Sequence, residues 1–266
     1  MNRNALISLG VLGILVPRVA AADPNAAPSL GRVLTVPTAW LPAQGGMVGT
    51  AGIDRRGDGS VTLAYGLGIA SVELGTDTDV RDCTTCDGDL KGDALWLGRA
   101  AFRLGAPQDA WFPGMPAVVV GLRNTFAAHG HTFGGARVTD AYLVGSRVLG
   151  PVRLHLGAAI SDGGYRQIAL GPTVRPFAGF EWTPTPYPKT SVLGDLMWVP
   201  RIETDRVALE WVAGWGVRYQ ALEWGSIELA VRHRQDEGLQ ESTVLVRVNG
   251  VWNPDRKDRK RPRFAP

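Results

Sequence analysis

The sequence predicts an all-β fold, a transmembrane antiparallel β-barrel of about twelve strands in an up-and-down meander. The first observation is a period-two alternation of apolar and polar residues, which dominates from Met47 onward. The second is length, because most alternating segments have about ten residues, as a tilted strand needs to cross a bilayer. The third is that the polar faces are rich in arginine, whereas only 4 of the 28 basic residues are lysine.

The first 22 residues have the form of a secretory signal peptide. Arg3 supplies the positive start, residues 5–16 form the apolar stretch, and small residues at 19–22 precede a cleavage site before Asp23. A buried N-terminal helix is the alternative. A Pro-rich segment at 23–46 follows, and we expect it to enter the periplasmic mouth of a barrel formed by residues 47–252.

The positive charge of the chain lies at its two ends. The formal net charge is +3, to which the signal segment contributes +2 and the tail at 253–266 contributes +4, and this leaves −3 for residues 23–252. Because the body has no basic face, the composition gives no support for nucleic-acid binding. The basic tail is expected to hang in the periplasm.

The last third of the chain shows the strand pattern best. In residues 207–219, Trp211 and Val217 lie on one face while Glu210 and Arg218 lie on the other. The predicted strands, in order, are 47–54, 60–66, 70–79, 94–104, 117–126, 137–148, 151–160, 174–182, 191–200, 207–219, 225–234 and 242–252. Mostly long polar connections, including 161–173, alternate with mostly tight or Pro/Gly-rich ones, which places both termini on the periplasmic side.

The polar face of these strands is predicted to line the lumen, with the apolar face in lipid. Arginine suits paired contacts in a narrow lumen, and aromatic residues near strand ends resemble an interfacial girdle. A secreted sandwich or soluble barrel, with the apolar face inward, is the alternative. The girdle residues are Trp182, Trp198, Tyr219 and Trp252. The predicted lumen-lining residues are Arg99, Arg103, Arg123, Arg153, Arg175, Arg218, Arg232, Arg247, Glu73, Glu181, Asp195, Glu210 and Glu228.

Three short motifs carry a resemblance to a known family. They are GRVLTVPTAW at 31–40, YGLGIASVEL at 65–74 and RPFAGFEW at 175–182, the last followed by a Pro-rich turn and a strand with Asp195. Together they resemble the YjbH-like outer-membrane barrels, although this chain looks shorter than the longer members of that group. The resemblance implies an outer-membrane barrel linked to the export of exopolysaccharide or another surface polymer.

Candidate chemistry outside the lumen lies in two loops predicted to be external. Cys83 and Cys86 are predicted to form a local disulfide, and a redox pair or half of a metal site is the alternative. His129 and His131 would be the further ligands of such a site. The cysteine loop also holds Asp77, Asp79, Asp82, Asp87, Asp89 and Asp93, an acidic group that could bind Ca²⁺ but does not match an EF-hand.

The predicted function is that of a non-enzymatic barrel subunit in an envelope-spanning assembly for surface polysaccharide export or surface motility. The alternative is a small channel for anionic solutes, favoured by the arginine excess. No catalytic motif, metal or cofactor is predicted. The expected partners are outer-membrane lipid, periplasmic or outer-membrane proteins of an envelope complex, and anionic polysaccharide. Because inward side chains would largely fill a lumen of this size, little free diffusion is expected.

Overall fold

The computed structural model describes residues 30–55, 57–79, 81–82, 93–94, 97–127, 137–165, 168–203 and 206–253. Twelve long strands form the barrel: β1 (Met47–Asp54), β2 (Gly59–Gly66), β3 (Ala70–Asp77), β6 (Leu97–Ala106), β7 (Ala117–Ala127), β8 (Arg137–Leu149), β9 (Val152–Tyr165), β10 (Ile168–Trp182), β11 (Thr190–Ile202), β12 (Val207–Leu222), β13 (Gly225–Arg234) and β14 (Thr243–Trp252). Two-residue strands β4 (Arg81–Asp82) and β5 (Asp93–Ala94) lie between β3 and β6.

The sheet closes on itself. Each long strand pairs antiparallel with its neighbours in the chain, and β1 pairs with β14 from Met47↔Trp252 to Asp54↔Leu245. A closed ring leaves no row of unpaired N–H and C=O groups, which lipid could not hydrate. The predicted antiparallel barrel of about twelve strands is therefore confirmed.

The two faces of the wall differ as a membrane barrel requires. Outward positions carry exposed large apolar side chains, such as Leu74 at 64% exposure, while the alternate positions are buried. Tyr65, Trp182, Tyr219 and Trp252 are exposed near the strand ends on one side. This apolar outer face with aromatic residues at its edge is the lipid-facing surface of an outer-membrane barrel.

One predicted loop is largely strand. Residues 161–173 were expected to form a long external connection, but β9 continues to Tyr165 and β10 begins at Ile168. Gly163 and Gly164 keep the ladder paired, and a register shift between Leu170 and Thr173 absorbs the irregular stretch. A cluster of glycine and polar residues predicts a turn, yet here the ladder to the neighbouring strand continues through it.

The described residues contain one short helix and no helix long enough and apolar enough to cross a membrane. The short helix is a single 3₁₀ turn, Leu239–Glu241, between β13 and β14. The termini of the described chain lie at the end of the barrel where the tight turns are, which by the general rule for such barrels faces the periplasm.

Residues 30–41, which we call the plug segment, fold back inside the barrel. Arg32 and Pro37 form an antiparallel bridge, and the Val33 amide donates to the Val36 carbonyl over 3.0 Å, so the segment is a tight hairpin. Its tip is buried, with Val33 and Val36 fully inaccessible. The segment was expected at the periplasmic mouth, and the structure places it well inside the lumen.

The connection after β3 crosses the outer mouth. Strand β4 pairs in parallel with Arg201 and Ile202 at the outer end of β11, which lies on the opposite side of the ring from β3. Asp79 of the same connection accepts hydrogen bonds from Arg232 and Arg234 of β13. The lumen is therefore narrowed at its outer end by a loop and at its inner end by the plug segment.

Candidate functional site: a plugged, arginine-lined lumen

The alternation along each strand delivers charged side chains to the lumen. Among the described residues, ten arginines point inward: Arg99, Arg103, Arg123, Arg153, Arg175, Arg201, Arg218, Arg232, Arg234 and Arg247. Seven carboxylates of the strands do the same: Asp54, Glu73, Asp140, Glu181, Asp195, Glu210 and Glu228. All thirteen residues proposed from the sequence lie in this set. Among the strand residues whose side chains the structure describes, inward arginines therefore outnumber inward carboxylates.

The remaining four inward residues, Asp54, Asp140, Arg201 and Arg234, were not among the proposed lining residues. Asp54, Arg201 and Arg234 lie at or next to strand ends, where the alternation is harder to assign. Asp140 lies in β8, whose segment has a weaker pattern than its neighbours. Asp140 shares its face with Val138, Tyr142 and Val144, which the sequence pattern would place in lipid, whereas the structure turns all four residues inward.

In the outer half of the lumen, Asp140 accepts hydrogen bonds from two arginines. Arg123 donates from Nε over 2.6 Å, Arg175 donates from Nη2 over 2.5 Å, and the Ser161 hydroxyl donates to the same carboxylate. A small cleft of about 10 Å³, enough for a single water molecule, lies beside this cluster and also borders Asp79. The cleft is lined by residues of β7, β8, β10 and β11 together with Asp79 of the loop at the outer mouth.

Toward the inner end of the lumen, Arg218 links three strands through two glutamates. Its Nε donates to Glu228 over 2.7 Å and its Nη1 donates to Glu181 over 3.0 Å. Arg247 adds a second contact to Glu228 at 3.2 Å, and Arg153 lies 3.5 Å from Glu181. Buried charges need such partners, so this network fixes the side chains that line the wall.

At the outer rim, Arg201 connects the wall to the loops. It contacts Glu203 at 2.5 Å, Asp236 at 3.2 Å and Glu210 at 3.9 Å. Glu203 also accepts from Arg206 over 2.6 Å. The hydrogen bond from Arg201, supported by the one from Arg206, holds the pKa of the Glu203 carboxyl below its usual range.

The plug hairpin is held at its tip by one carboxylate. Oδ2 of Asp195 accepts hydrogen bonds from the backbone amides of Leu34, Thr35 and Val36 at 3.1, 2.5 and 2.9 Å. Asp195 lies at mid-strand in β11 and is buried, and no described residue forms an ion pair with it. The turn amides of the plug segment are therefore the main partners of this carboxylate.

Three further wall residues hold the hairpin. Arg218 donates to the Val33 carbonyl over 3.3 Å, and Arg103 donates to the Thr38 carbonyl. The Ser146 hydroxyl accepts from the Ala39 amide over 2.7 Å. These contacts come from β12, β6 and β8, so the plug segment is tied to several sides of the ring.

Apolar contacts complete the fit of the plug segment. Val33 and Leu34 pack with inward residues of β11, β13 and β14, namely Leu193, Ala230 and Leu245. Val36 and Ala39 pack with a second group on β7 to β12, which includes Val119, Val144, Phe177 and Met197. Apolar residues on an otherwise polar inner wall thus mark the area that the plug segment covers.

A row of three polar residues lies on the inner wall next to the plug segment: Ser146, His155 and Glu181. Ser146 and His155 are register partners on β8 and β9, and the hydroxyl lies 2.7 Å from Nδ1 of the imidazole. Nε2 of His155 lies 3.9 Å from Glu181. The three residues are fully buried, and the Ser146 hydroxyl already accepts a hydrogen bond from the Ala39 amide. We therefore interpret these residues as part of the wall that holds the plug segment. The expectation that the chain is not an enzyme stays a prediction.

Several proposed sites lie outside the described residues. These are the signal segment, the tail at 254–266, Cys83, Cys86, Asp87, Asp89, His129 and His131. Within the described residues, no group of three or more His, Cys, Asp or Glu side chains is arranged to hold a metal ion. The disulfide and the absence of a metal and cofactor therefore stay predictions.

No protein-family model and no curated protein matches this sequence. Among solved structures, the fold is similar to the KdgM porin, with a TM-score of 0.49 and 8% identity over 77% of this chain and 98% of that chain. It is also similar to OmpT of Vibrio cholerae, with a TM-score of 0.38 and 12% identity over 80% and 99% of the two chains. A third similar structure is OccAB3 of Acinetobacter baumannii, with a TM-score of 0.39 and 11% identity over 77% of this chain and 59% of that chain.

Proposed function

We propose that this protein is a small outer-membrane channel for anionic solutes, closed in this structure by its own plug segment. One observation carries the proposal. The lumen is filled by a separate stretch of chain that is held by side-chain hydrogen bonds, inside a ring that is complete without it. A barrel whose wall residues alone filled the lumen would need no such segment.

The charge of the wall supports an anionic solute. Ten inward arginines face seven inward carboxylates on the described strands. Rings of basic side chains favour anions in pores, and a low-dielectric wall strengthens the effect of the excess. The solute would pass the loop at the outer mouth, the cleft beside Asp140 and then the space that the plug segment occupies.

The decisive experiment compares the full chain with a variant lacking residues 30–41 in planar bilayers. The variant is expected to conduct, and under a KCl gradient its reversal potential should show preference for chloride. The full chain should conduct less under the same conditions. A variant that folds but does not conduct, or one that prefers potassium, would contradict the proposal.

The envelope-assembly hypothesis for polymer export or surface motility stays a prediction, as does the resemblance to YjbH-like barrels. A filled lumen would suit a non-conducting subunit. If the plug-deleted barrel folds and remains closed to ions, that hypothesis becomes the better one.

A further inference from the structure

We infer that Arg103 is a binding site for a small oxyanion, which competes with the plug segment and so favours the open channel. The inference rests on the proposed channel function and adds the residue and the ligand chemistry that would control it. The ligand class is a dissolved carboxylate, phosphate or sulfate group, because these groups match the planar donor array of a guanidinium.

Arg103 is a buried charge with an incomplete set of partners. Its side chain is 1% exposed, and its only hydrogen bond to a described residue is the one from Nη2 to the Thr38 carbonyl. Nε and Nη1 are buried without a hydrogen-bond partner, and no described carboxylate lies within 4.0 Å of the guanidinium. Arg218, which also contacts the plug segment, differs because it pairs with both Glu181 and Glu228.

A second unpartnered polar group lies beside it. Ser71 on β3 is the register partner of Arg103 on β6, so their side chains are neighbours on the inner wall. The Ser71 hydroxyl is fully buried and also lacks a hydrogen-bond partner. An oxyanion at this position would accept from the guanidinium and from the hydroxyl, and would satisfy both groups.

The plug segment occupies the space such an anion would need. Arg103 contacts the base of the hairpin, where the Thr38 amide donates to the Gly31 carbonyl over 3.0 Å. A Cβ atom on Gly31 would lie only 2.8 Å from Nη1 of Arg103, which shows how closely the backbone approaches. An oxyanion can therefore reach the guanidinium only after the hairpin base has moved away.

An oxyanion that displaces the plug segment gives Arg103 a charged partner in place of the neutral Thr38 carbonyl. Hydrogen bonds between a guanidinium and an oxyanion are roughly twice as strong as neutral ones, and a buried guanidinium with one carbonyl partner is poorly compensated. A ligand that binds only the open state raises the open population by a factor of one plus its concentration over Kd. Small oxyanions should thus loosen the plug segment.

The test is hydrogen–deuterium exchange of the peptide covering residues 30–41 in the full chain, in an uncharged detergent that supplies no lipid phosphate. Inorganic phosphate replaces chloride at constant ionic strength. We expect the exchange rate of this peptide to rise about tenfold when phosphate reaches about nine times its Kd, as the linkage relation requires. Peptides of the outer ends of the strands should not respond.

Two variants and two matched controls assign the effect. Arg103→Gln should abolish the phosphate response, and Ser71→Ala should weaken phosphate binding by about fivefold, the loss of one modest hydrogen bond. Arg247→Gln, an inward arginine paired with Glu228, and Ser226→Ala, a buried serine bonded to Asn249, should keep the response. Since Ser71→Ala only removes a hydroxyl, it stays informative if Arg103→Gln folds poorly.

Failure of this inference is distinct from failure of the channel function. Exchange that does not depend on phosphate, or a response that survives in Arg103→Gln, overturns the role of Arg103 even if the plug-deleted barrel conducts. If the peptide responds to phosphate but the plug-deleted barrel does not conduct, the oxyanion site holds and the channel function fails.

Discussion

At the scale of single residues, Asp195 carries the largest share of the plug contacts. One carboxylate oxygen accepts three consecutive backbone amides, and these are charge-assisted hydrogen bonds to a turn that has no other described partner for them. A hydrogen bond to a charged group contributes roughly 1.5–3 kcal/mol. Loss of this carboxylate should therefore loosen the hairpin tip more than the loss of any other single side chain of the wall.

We predict that Asp195→Ala raises the hydrogen-exchange rate of residues 30–41 by at least about tenfold, which corresponds to roughly 1.4 kcal/mol. Asp195→Asn keeps a carbonyl acceptor and should give a smaller increase. Hydrogen exchange of the barrel strands should stay slow in both variants. Unchanged exchange in Asp195→Ala would mean that the apolar contacts of Val33 and Leu34 hold the hairpin by themselves.

Most of the charged side chains that face inward could be predicted from the sequence, but their partners could not. Period-two alternation assigns Arg218 and Glu228 to one face whatever the neighbouring strand is. That Arg218 reaches Glu181 on β10 depends on the curvature of the closed ring, which turns the inner faces of β10 and β12 toward each other past β11. The same holds for Ser146 and His155, which meet only because the hairpin register aligns them.

At the scale of the strand, β14 closes the barrel with its apolar residues outward. Val244, Val246 and Val248 are exposed, and Arg247 points inward to Glu228. The predicted limits of this strand agree with the structure to within one residue. The agreement follows from the strict alternation in β14. The alternation is weaker at the glycine-rich ends of β9 and β10, so the sequence did not predict that these strands extend several residues further.

Val246→Asp should block assembly of the barrel. The side chain is 44% exposed on the lipid face near the middle of β14, where a charge costs roughly 2–4 kcal/mol for basic residues and somewhat less for acidic ones. Heat-modifiable migration on a gel, which reports a folded barrel, should be lost. Val246→Ala should retain it, and normal insertion of Val246→Asp would show that this face does not meet lipid.

Deleting residues 255–266 should leave the barrel folded. The ladder between β1 and β14 ends at Trp252, so the barrel closes within the described residues. The deletion variant should show the same heat-modifiable migration as the full chain. Loss of the folded form would mean that the tail takes part in insertion.

At the scale of the whole molecule, the barrel and its plug are separate elements. The ring of twelve strands is closed by backbone hydrogen bonds of its own, whereas the plug segment adds side-chain contacts inside. The sequence predicted the ring because each strand carries the pattern locally. It predicted only a Pro-rich entry segment before the ring, because nothing in residues 30–41 shows that inward groups on strands from β6 to β14 contact this segment.

The plug-deleted variant used for conductance should therefore fold. Removing residues 30–41 exposes Leu193, Ala230 and Leu245 to a wet lumen, so its unfolding temperature should fall below that of the full chain. The closed ladder should keep its strand content by circular dichroism. Failure to fold would show that the plug segment is needed to order the inner wall.

The central claim, that a movable plug closes the lumen, is tested most directly by a reversible covalent lock. The Cβ atom of Leu34 lies 3.5 Å from the position that a Cβ on Gly214 would take, within the range of disulfide bridges, and only the flexible end of Asp195 must move aside. In a Cys83→Ser, Cys86→Ser background, Leu34→Cys with Gly214→Cys should form the bridge. Bilayer recordings should then show no openings when it is oxidised and openings after reduction. Equal conductance in the two states would contradict the account.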